Sequence, residues 1–295
     1  MTRITNKNQN PSPLEWERNL YSLAGYLEGD YQEELGSDEP LVSNLSCLDV
    51  ALDGGFTKGL YMLMATEQSP KFAFITQLAE AFAKQDFGVL FITPKKNLSI
   101  LPAFVLSRQT LLHDFRNEKP IDELMPVSSD LWNHLSETVK EQTKLLVKNM
   151  GVIDSLNITT DFLKGRINAL KTTRYEKFMC FVDASHIQPS RLDSFLEDYR
   201  QLAEELEMPI IIFTKVPVEE GKDFLRIMDG ISHLVDYLLF LNRTTANSDP
   251  MSLSKGKENL DWLLYKCHVM PSYSAPEFRK CYLTVYSKFG LFSEA

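Results

Sequence analysis

The sequence predicts an α/β fold: a mostly parallel, twisted sheet with helices on both faces and an antiparallel strand pair at the C-terminal end. Three observations predict it. Short apolar runs of strand length recur along the chain, segments with apolar residues at helical spacing lie between them, and two longer mixed runs close the sequence. Strand–helix alternation ahead of closing strands is the pattern of a parallel core covered on both sides.

The elements follow in order. "GLYMLMA" (59–65) reads as a buried strand, and Ile75, Leu78, Ala79 and Phe82 then mark one face of a helix. "FGVLFIT" (87–93) is the second strand. Residues 98–150 have room for two or three helices, and a helix near 160–172 follows. "FMCFVD" (178–183) is the third strand. Leu192, Phe195, Leu196, Tyr199, Leu202, Ala203 and Leu206 form the clearest helical face in the chain. "MPIIIFTK" (208–215) and "LVDYLLFL" (234–241) are the fourth and fifth strands. "DWLLYKCHV" and "KCYLTVYSKFGLF" complete the sheet as an antiparallel pair. No internal repeat is visible. Because ligands of such sheets bind at the carboxyl ends of the strands, the loops after Ala65, Thr93, Asp183 and Lys215 are the ones to inspect.

The N-terminal residues differ in kind. Residues 1–12 are polar and expected to be disordered. Leu14, Trp16, Leu20, Leu23, Tyr26 and Leu27 lie at roughly helical spacing within 13–27, and "EGDYQEELGSDEP" then carries six carboxylates and no Lys or Arg. Residues 1–40 therefore read as a helical arm with an acidic linker, and 41–295 as the core domain.

Bulk properties bound the function. The net charge of −9 argues against non-specific coating of nucleic acid by the whole surface, though not against a local basic path. The longest apolar runs are far short of a membrane span, and the N-terminus has no apolar signal region, which predicts a cytoplasmic protein without a membrane segment. Four separated cysteines with no CxxC pair predict reduced, mostly buried thiols in preference to disulfides or zinc. The histidines are scattered, and no metal site is expected.

The stretch "LVSNLSCLDVALDGGFTKGLYMLMA", with Leu48, Asp49, Leu52, Gly54, Gly55 and Gly59, resembles the start of the RecA-like P-loop NTPase core of bacterial replicative DNA helicases of the DnaB type. "MGVIDSLNITTDFLKGRINAL" is similar to the strand and helix ahead of that family's Walker B strand. "FVDASHIQ" resembles the Walker B strand itself, and "FLEDYRQLAEELEMPIIIFTKV" the helix and sensor strand after it. "DYLLFLNR" and "LLYKCHV" fit the closing strands. The resemblance spans 41–292 and implies a RecA-like core. The helix at 13–27 would correspond to the family's linker helix, which docks on the adjacent subunit.

The chemistry departs from the pattern. A P-loop needs glycines for close backbone approach to phosphate, a lysine, and a hydroxyl for magnesium. Aligned with GxxxxGK[ST], "ATEQSPKF" places Ala65 at the first glycine, Pro70 at the second, Lys71 at the lysine and Phe72 at the hydroxyl residue. Proline lacks the N–H, phenylalanine cannot ligate magnesium, and Glu67 adds negative charge. Losing two charge-assisted hydrogen bonds weakens binding by about a hundredfold or more. Ser69-Pro70 equally fits a helix start, with Ser69 as N-cap and Pro70 at the first helical position.

Other positions agree. The family's catalytic glutamate is matched by Lys95, its sensor glutamine by Lys215, and its lysine-x-arginine pair by Lys266 and His268. Asp183 matches the Walker B aspartate. Ala65, Ser69, Pro70, Lys71, Phe72 and Asp183 are thus a vestigial nucleotide site, and no catalytic residue is assigned. The DNA-facing loops of the family correspond to "ASHIQPSR" and "VPVEEGKDFLRIMDG". Their Arg191, Lys222 and Arg226 are offset by four carboxylates, a poor track for phosphate.

The resemblance and its departures together imply a catalytically degenerate, non-hydrolysing binding or assembly component linked to DNA replication or recombination. Its partner would be a second copy or a replication or recombination protein, and no cofactor is expected. Two alternatives stay open: an active ATP-dependent helicase or ATPase using ATP and magnesium through an atypical loop, and an anion or nucleotide sensor built on Lys71, Lys95, Lys96 and Lys215.

Overall fold

The computed structural model describes residues 40–66, 70–97, 100–125, 127–155, 158–215, 230–243, 262–271 and 279–294. The arm expected at 13–27, the acidic linker, Ser69 and the loop carrying Lys222 and Arg226 lie outside the described residues.

Among the described residues nine strands form one sheet in the order β3-β2-β4-β5-β1-β6-β7-β8-β9. Strands β1 (Gly59–Ala65), β2 (Gly88–Thr93), β3 (Met150–Asp154), β4 (Phe178–Asp183), β5 (Pro209–Lys215) and β6 (Tyr237–Arg243) are parallel. Strands β7 (Trp262–Pro271), β8 (Arg279–Tyr286) and β9 (Leu291–Glu294) extend it antiparallel.

Side chains on the central strands alternate between two cores, the period-two consequence of the pleat. Tyr61, Leu63, Phe181, Ile211 and Phe213 face one core, which α2 (Lys71–Ala83) and α3 (Ile100–His113) cover. Leu60, Met62, Met64, Cys180, Ile210 and Ile212 face the other, under α6 (Thr160–Thr173) and α7 (Leu192–Leu206). The stripe predicted on α7 is buried at Leu196, Tyr199, Leu202, Ala203 and Leu206. Short α1 (Ser46–Ala51) leads into β1. Helices α4 (Ser129–His134) and α5 (Glu137–Val147) stand between α3 and β3, where a small third cluster joins Leu106, Leu124, Leu135 and Val139.

The Gly-Gly turn before β1 has a steric cause. Leu41 and Phe56 exchange backbone hydrogen bonds of 2.7 and 2.9 Å. A Cβ on Gly55, whose φ is +138°, would stand 2.5 Å from the Leu41 carbonyl oxygen. Only glycine fits so close a backbone approach.

Three expectations need correction. The C-terminal run is two strands, not one: a turn at Ser287–Gly290 divides β8 from β9, so three antiparallel strands follow β6. Its Phe289 is buried, which disguises the turn as strand interior. The fifth strand starts at Tyr237, because Ser232–Leu234 form a 3₁₀ turn. Finally, Cys47 on α1 and Cys281 on β8 are joined as a disulfide, with Cα atoms 5.3 Å apart, in place of two reduced thiols. The bond spans 234 residues, so no local spacing announces it. Cys180 and Cys267 are free and buried, and burial pushes both thiols up to about 12. Among the described residues no helix is long and apolar enough to cross a membrane.

Candidate functional site

The carboxyl ends of β1, β2, β4 and β5 fall at Ala65, Thr93, Asp183 and Lys215, where the chain leaves the sheet for its loops. Ala65 is fully buried and pairs with Lys215 on one side and Leu241 on the other. Pro70 is the N-cap of α2 and not its first helical residue: its ψ of 54° is not helical, and its carbonyl accepts the first bond of the helix, from Phe74 N–H at 3.0 Å. Lys71 is therefore the first residue of the helix, and its side chain turns back along the ends of the strands.

That side chain is 3% exposed. Its Nζ donates to Ser185 Oγ at 2.5 Å and lies 5.4 and 5.6 Å from the ring centroids of Phe72 and Phe213. Those rings pack edge to face, 5.5 Å apart. Burial lowers the Lys71 amine to about 8; Asp183 opposes that shift, and the charge of Lys215 adds to it. An ammonium in this position is poorly solvated and held between aromatic faces.

Asp183, wholly buried at the end of β4, is satisfied by protein donors. Oδ1 accepts from the Ser185 backbone N–H at 2.9 Å, while Oδ2 accepts from Thr93 Oγ1 at 3.1 Å and Asn97 Nδ2 at 2.8 Å. Lys71, Thr93, Asn97, Asp183 and Ser185 thus form one connected polar group at the sheet's carboxyl edge.

Lys95 and Lys96 are exposed on the 3₁₀ turn Lys95–Asn97 that delivers Asn97 to Asp183. Lys215 is exposed at the last position of β5. Arg191 is exposed in the turn before α7. Lys266 pairs in register with Asn242 of β6, and His268 with Phe240, whose ring centroid is 6.3 Å from the imidazole. Both belong to β7, two strands away from β1.

Sequence reasoning found Lys71 and Asp183 but missed Thr93, Asn97 and Ser185. A signal existed for Ser185: an aspartate followed two residues later by a backbone N–H it can accept from is a common local motif. For Asn97, which reaches Asp183 across two strands, no local pattern exists.

The fold is RecA-like, and solved structures share it. The ATPase domain of G40P matches 93% of this chain and 99% of its own length at 15% identity, with a TM-score of 0.61. A DnaB-like replicative helicase, solved to describe its interactions with primase, matches 93% of this chain and 68% of its own length at 13% identity, TM-score 0.64. The RadB recombinase matches 86% of this chain and 99% of its own at 13% identity, TM-score 0.52. No protein-family model matches the sequence, and no curated protein is significantly similar to it.

Proposed function

We propose that this chain is a catalytically degenerate, helicase-like protein that serves as a non-hydrolysing binding or assembly component in DNA replication or recombination. One observation carries the reading: the retained lysine of the vestigial loop is buried between Phe72 and Phe213 and bonded to Ser185. Magnesium triphosphate does not fit the residues around it. Residues 65–72 contain no glycine, Pro70 lacks an N–H to offer, and Phe72 replaces the hydroxyl. Both oxygens of Asp183 already accept from protein donors, which a metal ion would have to displace. Lys95, Lys215 and His268 supply neither the base, the sensor amide nor the arginine that hydrolysis draws on.

The division near residue 40 into an arm and a core belongs to the same proposal, as does association with a second copy. The likeness to a DnaB-like helicase studied with its primase makes a replication protein the first partner class to test. Light scattering that shows only monomer at high concentration, with and without nucleotide, would remove the oligomer from the proposal.

A second reading, an active ATPase, draws on one fact: Lys71 and Asp183 stay in one polar group, joined through Ser185. Two measurements separate the readings. Magnesium-dependent phosphate release that disappears in Asp183→Ala supports the enzyme. Absence of release, together with no retention of a fluorescent ATP analogue by wild type or Lys71→Ala, supports the scaffold. Retention of the analogue without release, lost in Lys71→Ala, supports the anion or nucleotide sensor.

A further inference from the structure

The disulfide between α1 and β8 lies far from the crevice residues in the sheet order, on the β7–β8–β9 side. Its two residues differ in exposure. Cys47 is partly exposed, whereas Cys281 is completely buried. A third cysteine stands beside them: Cys267 is directly opposite Cys281 in the β7–β8 register, and both belong to the same buried cluster. Directly opposed residues have Cβ atoms about 4.5–5.5 Å apart, so Cys267 is a geometric rival for Cys281.

Access removes the rival as the point of entry. Cys267 and Cys281 are both completely buried, so a solvent oxidant meets neither of them first. Solvent thiols and disulfides reach the pair through Cys47.

The seam between residues 45–53 and strands β8 and β9 also has contacts of its own. Cys47 N–H donates to Glu294 Oε1 at 2.8 Å, and Arg279 Nη1 donates to the Ala51 carbonyl at 3.0 Å and pairs with Asp53 at 2.6 Å. Leu45, Leu48 and Leu52 are buried beneath. Reduction therefore leaves the segment seated but no longer tethered.

We propose that the Cys47–Cys281 bond is a reversible modification, closed and opened through Cys47, that tethers residues 40–56 to the C-terminal strands under oxidising conditions and lets them open locally under reducing ones. Closure takes a low-molecular-weight disulfide, RSSR, as oxidant. Cys47 attacks one sulfur of RSSR as its thiolate, giving a Cys47–S–S–R mixed disulfide, and the released RS⁻ takes up the proton as RSH. While the segment is locally open, Cys281 loses its proton, attacks the Cys47 sulfur as the thiolate and displaces RS⁻, which takes that proton as the second RSH. Two protein thiols are oxidised and one RSSR is reduced to two RSH; a small thiol attacking Cys47 reverses the sequence.

The test uses the full chain, treated with oxidised glutathione or with a phosphine reductant, then denatured and alkylated. Two thiols label in the oxidised protein and four in the reduced one. Amide hydrogen exchange within 45–55 slows at least about tenfold on oxidation. In Cys281→Ser, glutathione is trapped on Cys47; in Cys47→Ser, no adduct forms on Cys281 and the oxidant leaves exchange at 45–55 unchanged. The second variant changes a partly exposed position, so the test survives if the buried Cys281→Ser fails to fold. Four labelled thiols after oxidant, a Cys267–Cys281 peptide, a glutathione adduct on Cys281, or equal exchange in both states each overturns the proposal.

Discussion

The amine of Lys71 would be better solvated almost anywhere else on this protein, and that fact gives a test with a defined sign. Its folded pKa, about 8, lies below the ordinary 10.5 because burial disfavours the ammonium form. The stability linked to this group is therefore fully present above 10.5 and lost as pH falls toward 8. Wild-type protein should gain stability on going from pH 8 to 10.5, and Lys71→Met should lack that gain. At neutral pH the variant should be more stable than wild type by on the order of 2 kcal/mol, the relief of a buried charge less the lost hydrogen bond to Ser185. Urea titrations of both proteins at either end of the window measure the difference. Gly59 offers a second residue-scale test. Its φ is +140°, and a Cβ there would stand 2.5 Å from Asp236 Oδ2, which already accepts from Leu60 N–H at 2.7 Å. Gly59→Ala should cost about 2 kcal/mol or more in chemical denaturation.

Helices α2 and α3 are joined by a buried charge pair as well as by apolar contact. Arg108 of α3 is 1% exposed, and its Nε and Nη2 both donate to Glu80 of α2, at 3.0 and 2.5 Å. Its Nη1 reaches the Gly290 carbonyl at 2.9 Å, which ties the turn before β9 to the same pair. Arg108→Met alone strands the Glu80 carboxylate in the core and should cost about 3–5 kcal/mol. Arg108→Met with Glu80→Leu should recover most of that, and a denaturant double-mutant cycle reads the coupling. Nothing in the sequence announces this pair: an arginine on a helix reads as a solvated residue, and its partner lies 28 positions earlier. The strands that end at Ala65, Thr93, Asp183 and Lys215 were legible for the opposite reason. Each is an unbroken apolar run whose register depends on little beyond its own burial. The turn at Ser287–Gly290 was hidden by Phe289, and the Cys47–Cys281 bond by its sequence separation. In the candidate site, Lys71 and Asp183 were legible through their place in a strand–loop–helix pattern. Asn97 and Thr93 were not, because only strand order brings β2 beside β4.

For the whole molecule, a pocket that does not hold magnesium ATP has a thermodynamic consequence. A ligand at 100 times its Kd stabilises the folded state by about 2.7 kcal/mol, which moves a melting temperature by several degrees in a domain of this size. Magnesium ATP at about 1 mM should shift the melting temperature by less than about 1 °C. A shift of several degrees that vanishes in Lys71→Ala would instead place a nucleotide in the crevice.

The position of β1 within the sheet bears on how the molecule comes into being. The strand is fifth of the nine in the sheet order, yet Gly59 pairs with Pro209 and Tyr61 with Tyr237, and both neighbours are made long after it. During translation, β1 leaves the ribosome with both backbone edges unsatisfied and stays so until β5 and β6 have followed. Its seven residues include Leu60, Met62, Leu63 and Met64, which makes the nascent chain a natural client for chaperones while synthesis continues.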